Sequence, residues 1–218
     1  MNDHEITDLP STLDTIRQET ERVGFTLGSE PKTGALLRAL AASKPGGQFL
    51  ELGTGTGVGT AWLLSGMDAS SHLVSIDSDA KVSDVARRNL GHDPRVTFHL
   101  GDGGEFLRKA TPQQFDFIYA DAWPGKFSHL DGALSLLKIG GIYFIDDLLP
   151  QPSWPEGHAT KVPVLIADLE RRRGFVATKL AWASGLMILV RTTGRLTAAA
   201  PWPFGSSHKG ALPTMGRT

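Results

Sequence analysis

The chain reads as an α/β protein built on a doubly wound, mostly parallel seven-stranded sheet with an antiparallel hairpin at one edge. Three observations predict this. Five short apolar runs alternate with segments of helical period, the first run breaks into the glycines of "ELGTGTGVG", and each of the five runs ends in an acid. Strands apolar on both faces and separated by helices belong to a parallel sheet covered on both sides. At 218 residues the chain accommodates one such domain with a full core.

Taken in order, "STLDTIRQETERV" and "TGALLRALAAS" predict two helices, so residues 1–45 read as a helical segment packed on the domain. The strand runs are "QFLELG", "HLVSID", "RVTFHL", "FDFIYAD" and "GIYFIDD". Between them "VGTAWLLSGM", "DAKVSDVARRNL", "GEFLRKA" and "FSHLDGALSLLK" predict helices, and "VPVLIADLERRR" adds one more. The runs "FVATKLAWA" and "GLMILVRT" are joined by little more than a Ser-Gly turn, which only an antiparallel pair can span. Residues 46–192 therefore form the main domain, and 193–218, rich in Ala, Gly, Pro and Ser without a period, read as a flexible tail.

Composition narrows the function. A formal charge of -1 gives no electrostatic case for nucleic acid or an anionic membrane as partner. The absence of cysteine removes disulfides, thiolate zinc sites and thiol nucleophiles together. The opening "MNDHEITDLP" is polar and acidic, and no apolar run reaches the roughly 18 residues of a membrane span. The expectation is a cytoplasmic protein with a small-molecule partner, with monomer and homodimer both open.

Ligands of an open parallel sheet bind at the carboxyl ends of its strands, near the point where strand order reverses. The five predicted strands deliver Glu51, Asp77, Asp102, Asp121 and the pair Asp146-Asp147 to that rim. A single acid there is often just a helix cap. Capping does not account for all five, and least for the adjacent pair.

The glycines set the ligand class. Val58, Gly59 and Thr60 follow where a phosphate loop needs Lys and Ser or Thr, so no Walker motif is present. The dinucleotide pattern GxGxxG fails as well, its third glycine replaced by Val58 or Thr60 according to the starting point. What remains is GxGxG behind Glu51, compatible with S-adenosylmethionine, a dinucleotide or a bare turn.

These residues resemble the first motif of the class I S-adenosylmethionine-dependent methyltransferases, and Asp77 matches the acid that ends their second strand. The resemblance implies a Rossmann-like methyltransferase fold. It implies a cofactor site of Glu51, Gly53, Thr54, Gly55, Gly57, Asp77, Ser78, Asp102, Gly103 and Asp121. In it Asp77 holds the ribose hydroxyls, and Asp102 and Gly103 lie beside the adenine.

The second half, "FDFIYADAWPGKF" with "LLKIGGIYFIDDLL", resembles the metal-dependent small-molecule O-methyltransferases, the catechol and caffeoyl-CoA group. That resemblance implies methyl transfer to a hydroxyl, with Asp121, Asp146 and Asp147 binding a divalent cation. Asp147 stands where that group usually has Asn. Oxygen ligands suit Mg²⁺ first, then Ca²⁺ or Mn²⁺, and the cation would lower a hydroxyl pKa and orient it. Pro124 occupies the position of that group's basic lysine, which leaves Lys126, Asp146 and His158 as catalytic candidates. "LLPQPSWPEGHATK" lies where a substrate-covering loop would, with Trp154 placed to stack on a flat acceptor. A metal-independent methyltransferase, a nicotinamide-dependent oxidoreductase and a non-catalytic binding module remain the alternatives.

Overall fold

A computed structural model describes residues 2, 3 and 5–193, so the predicted tail, Thr193 apart, lies outside the described residues. Two helices, α1 (Leu13–Val23) and α2 (Pro31–Ala42), precede the sheet. The alternating core follows as β1 (Gln48–Leu52), α3 (Val58–Gly66), β2 (His72–Asp77), α4 (Ala80–Leu90), β3 (Val96–Leu100), α5 (Gly103–Lys109) and β4 (Phe115–Ala120). It continues through the short α6 (Trp123–Lys126), α7 (Leu130–Ser135), β5 (Leu137–Ile145), α8 (His158–Arg171), β6 (Phe175–Leu180) and β7 (Leu186–Arg191). Strand order is β3-β2-β1-β4-β5-β7-β6, parallel up to β5 and antiparallel at the β7 and β6 edge. The seven-stranded fold expected from the sequence is the one observed.

Local chemistry explains the boundaries. Gly24 ends α1 in a left-handed conformation and returns its N–H to the Glu21 carbonyl. Pro31 opens α2, where its missing N–H has no partner to lose, and the Asp79 carboxylate caps α4 by accepting the Lys81 and Val82 N–H groups. Side chains alternate across each strand, so Leu50, Ile118, Tyr143 and Ile145 face the layer of α5, α7 and α8. Phe49, Phe117, Tyr119 and Phe144 face the layer of α1, α2 and α3 instead. Trp62 of α3 is fully buried, and a Cβ on Gly34 of α2 would collide with its indole. That glycine lets the two helices close.

Two predicted elements shift. The helix expected over "FSHLDGALSLLK" is confined to α7, because Leu137 is drawn into β5 and pairs with Phe115. The last helix starts earlier, at His158 behind the left-handed Gly157, so His158 and Lys161 sit in its first turn rather than in a loop. Among the described residues no helix is long and apolar enough to cross a membrane.

Candidate active site

Strand order reverses between β1 and β4, which opens a crevice at their carboxyl ends. Register decides what lines it. Glu51 pairs with Ser75 on one side and Tyr119 on the other, and Tyr119 pairs with Phe144. Neighbours in register share a face, and so do residues two further along. The same face therefore carries Gly53, Asp77, Asp121 and Asp146 to one rim.

On the β1 side the turn is built by Gly53, Gly55 and Gly57, with φ of 100°, 51° and 92°. Asp77 holds it: one carboxylate oxygen accepts the Gly55 N–H at 2.7 Å and the other accepts Asp79 N–H at 2.8 Å. Burial raises the Asp77 pKa, opposed by these backbone donors. A Cβ on Gly55 would sit 3.1 Å from the Phe25 ring, so the chain after α1 covers this turn. Nothing in the sequence pattern singles out Phe25 for that role.

Glu51 is fully buried, and its Oε2 accepts hydroxyls of Thr60 and Ser75, each at 2.5 Å. Its Oε1 has no hydrogen-bond partner. Burial pushes the carboxyl up to about 7, against the pull of those hydroxyls. A raised folded pKa means stability present below the ordinary 4.5 and lost as pH rises through about 7. Glu51→Gln is expected to remove that dependence from melting curves of the ligand-free protein. Parallel pH profiles of variant and wild type would refute the assignment.

Several predicted cofactor residues are otherwise engaged. The Thr54 hydroxyl turns inward to Ser75 Oγ at 2.6 Å. A Cβ on Gly57 would meet Ala86 at 2.8 Å, so this glycine serves the packing of α3 on α4. Asp102 caps α5 by accepting the Glu105 N–H at 2.7 Å, and Gly103 lies under Pro124, 3.2 Å from where its Cβ would be. Ser78 is exposed beside Asp77.

On the β4 and β5 side the acids do come together. The Tyr119 hydroxyl lies 3.1 Å from Asp121 Oδ2, 3.2 Å from Asp146 Oδ2 and 3.0 Å from Ser29 Oγ. Asp146 Oδ1 accepts the Asp147 N–H at 2.7 Å and the Ser184 hydroxyl. Burial first, then the Asp147 carboxylate, raise Asp146 above the ordinary carboxylate range, and burial does the same to Asp121. Asp147 has φ of 61°, a left-handed conformation that Asp and Asn tolerate better than most residues. Asn, which the resembled group has there, tolerates the same conformation.

The expected metal site finds no support. Among the described residues no group of three or more His, Cys, Asp or Glu is arranged to hold a metal ion. Lys126 is buried instead, with its Nζ 3.4 Å from Asp121 Oδ1 and 3.9 Å from Asp147 Oδ2. The carboxylates of Asp121 and Asp147 thus already face a cation from the chain.

His158 and Trp154 pack against each other. Trp154 stacks on His158 with centroids 4.5 Å apart, and Phe127 meets the imidazole edge-on at 4.8 Å. One face of the Trp154 indole is thereby used within the protein. His158 Nε2 lies 3.1 Å from the Asp147 carbonyl, which only accepts, so Nε2 carries the proton and holds the left-handed residue. Burial lowers the His158 pKa. Its contact with the Asp147 carbonyl ties the start of α8 to the end of β5.

The fold that carries this crevice is shared with known proteins. The family described as "Methyltransferase domain" matches residues 50–148. A Mycobacterium ulcerans protein, provisionally named an O-methyltransferase, is 32% identical over 120 residues, 53% of this chain and 54% of its own length. The chain thus spans about half the length of the curated relatives it matches. An O-methyltransferase from Bacillus cereus, solved with SAH, superposes with a TM-score of 0.75 at 22% identity, covering 87% of this chain and 94% of that one. A structure from Klebsiella pneumoniae, likewise provisionally named, gives 0.74 at 24% identity, over 86% and 93%. Over residues 50–148 the chain matches the methyltransferase-domain family, and it shares its fold with solved O-methyltransferases.

Proposed function

We propose that this protein transfers a methyl group from S-adenosylmethionine to a hydroxyl oxygen of a small molecule. The observation that carries the reading is the Asp77 carboxylate, held by backbone N–H groups at the switch-point crevice beside the glycine turn. Two adjacent ribose hydroxyls offer two donors to one carboxylate, a charge-assisted arrangement. The positive φ angles of Gly53, Gly55 and Gly57 beside Asp77 shape the turn against which the cofactor would lie. The Bacillus cereus neighbour, solved in complex with SAH, supports it.

Bound at this turn, the cofactor supplies an electrophilic methyl on a sulfonium. The chain's own residues do the rest. Asp77 fixes the ribose, and the β4 and β5 acids flank the crevice on its other side. Of these, Asp147 has the most open side chain, 37% exposed against 13% for Asp121, and so is the carboxylate placed to take the hydroxyl proton. Asp146, tied to Ser184, Tyr119 and the Asp147 N–H, supports that turn. The divalent cation that the family resemblance implied is not part of this mechanism, because Asp121 and Asp147 already face Lys126.

Calorimetry with S-adenosylhomocysteine and, separately, NAD⁺ tests the reading. Binding of the first alone is expected, followed by transfer of labelled methyl into a panel of hydroxylated small molecules. Binding of NAD⁺ without S-adenosylhomocysteine would establish the oxidoreductase alternative instead.

A further inference from the structure

We propose that the Lys126 ammonium is the resident cation of the Asp121, Asp146 and Asp147 cluster and keeps divalent ions out of it. The inference concerns the site of the proposed methyl transfer, but its readouts are metal occupancy and melting, which need no turnover.

Lysine is almost never fully buried unless paired, yet this side chain is 2% exposed. Its position is built rather than incidental. Pro124 (φ -61°, ψ 128°) and Gly125 (φ 92°, ψ -25°) have the dihedrals of a type II turn, with the ring setting the first φ and glycine supplying the positive one. The turn is locked on both sides: Gly125 N–H donates to the Ser128 carbonyl at 2.8 Å, and the Tyr143 hydroxyl donates to the Gly125 carbonyl at 2.7 Å. A Cβ on Gly125 would lie 2.6 Å from Leu52 Cδ1, so no other residue takes the turn's place without displacement. Lys126, the next residue, is thereby directed beneath the acids.

The oxygens are also spoken for. Asp146 Oδ1 accepts two donors, and the second oxygens of Asp121 and Asp146 face the Tyr119 hydroxyl. A hard divalent ion requires about six or more oxygens at roughly 2.0–2.6 Å. An ammonium 3.4 Å and 3.9 Å from two of the three carboxylates stands where that shell would form. Three acids without a counter-charge would repel one another, and Lys126 supplies that charge from within the chain.

Electron paramagnetic resonance of free Mn²⁺ tests this. Wild-type protein is expected to leave the free-ion signal unchanged and to melt at the same temperature in EDTA and in excess Mg²⁺. Lys126→Gln is expected to take up one Mn²⁺ per chain and to gain melting temperature from it. A one-to-one Mn²⁺ site in wild type that Asp146→Asn removes would overturn the proposal, as would a folded Lys126→Gln that binds no Mn²⁺. Should Lys126→Gln fail to fold, the combination with Asp121→Asn, which removes one charge of each sign, is expected to fold, and a double variant as unfolded as the single would also overturn it. A Mn²⁺ site in wild type leaves the cofactor reading standing, and absent S-adenosylhomocysteine binding leaves the Lys126 assignment standing.

Discussion

Replacing Asp77 with Ala is expected to weaken S-adenosylmethionine binding by about 1.5–3 kcal/mol, the usual worth of a hydrogen bond to a charged group, or roughly 10- to 150-fold in Kd. The effect has two sources. In the proposed function the carboxylate offers the ribose its acceptor, and it also holds the Gly55 and Asp79 N–H groups at 2.7 Å and 2.8 Å. Removing it frees the turn that shapes the pocket, so the ligand-free protein should also melt lower. Asp77→Asn separates the two contributions, because its amide oxygen still accepts from one N–H while the charge is gone. Calorimetry showing wild-type affinity in Asp77→Ala would refute the cofactor assignment.

The second large effect is expected at Gly53. Its φ of 100° is one that side-chain-bearing residues rarely adopt, and a Cβ there would lie 2.7 Å from the Asp121 carbonyl oxygen. The backbone conformation alone costs about 1–3 kcal/mol for a non-glycine residue. The clash adds to it, because the obstacle is main chain fixed by the Asp121 N–H to Leu52 carbonyl bond at 2.8 Å. Gly53→Ala should therefore lose stability in chemical denaturation. It should lose methyl transfer more steeply than its stability predicts, since β1 and β4 are pushed apart where the acids meet. A variant that denatures like wild type would show that the turn can relax.

Much of the rim was legible because strand periodicity carries it. Once β1, β2, β4 and β5 are placed, alternation puts Glu51, Asp77, Asp121 and Asp146 on one face, and Tyr119 follows by the same count. Acids and glycines draw the eye away from Tyr119, although its parity with Asp121 is readable in the sequence. The Pro-Gly pair at 124–125 was also a readable signal for a type II turn, and it is the turn that sends Lys126 inward.

Other features had no local signature. Ser29 and Ser184 reach the cluster from a loop before α2 and from the β6–β7 turn, far from it in sequence. Phe25 meets Gly55 only because α1 docks against α3 and α4. The pairing of Trp154 with His158 likewise follows from α8 beginning at His158.

The sequence by itself determined the sheet, its order of elements and the cofactor-side turn, because periodicity, glycine φ freedom and strand-end acids act within a few residues of one another. The tertiary structure alone decided what the β4 and β5 acids face. Three carboxylates read along the chain suggest a divalent ion, since sequence spacing records ligands but not the counter-charge. Burial makes an uncompensated charge costly, and packing resolves it by folding the Lys126 ammonium to within 3.4 Å of Asp121.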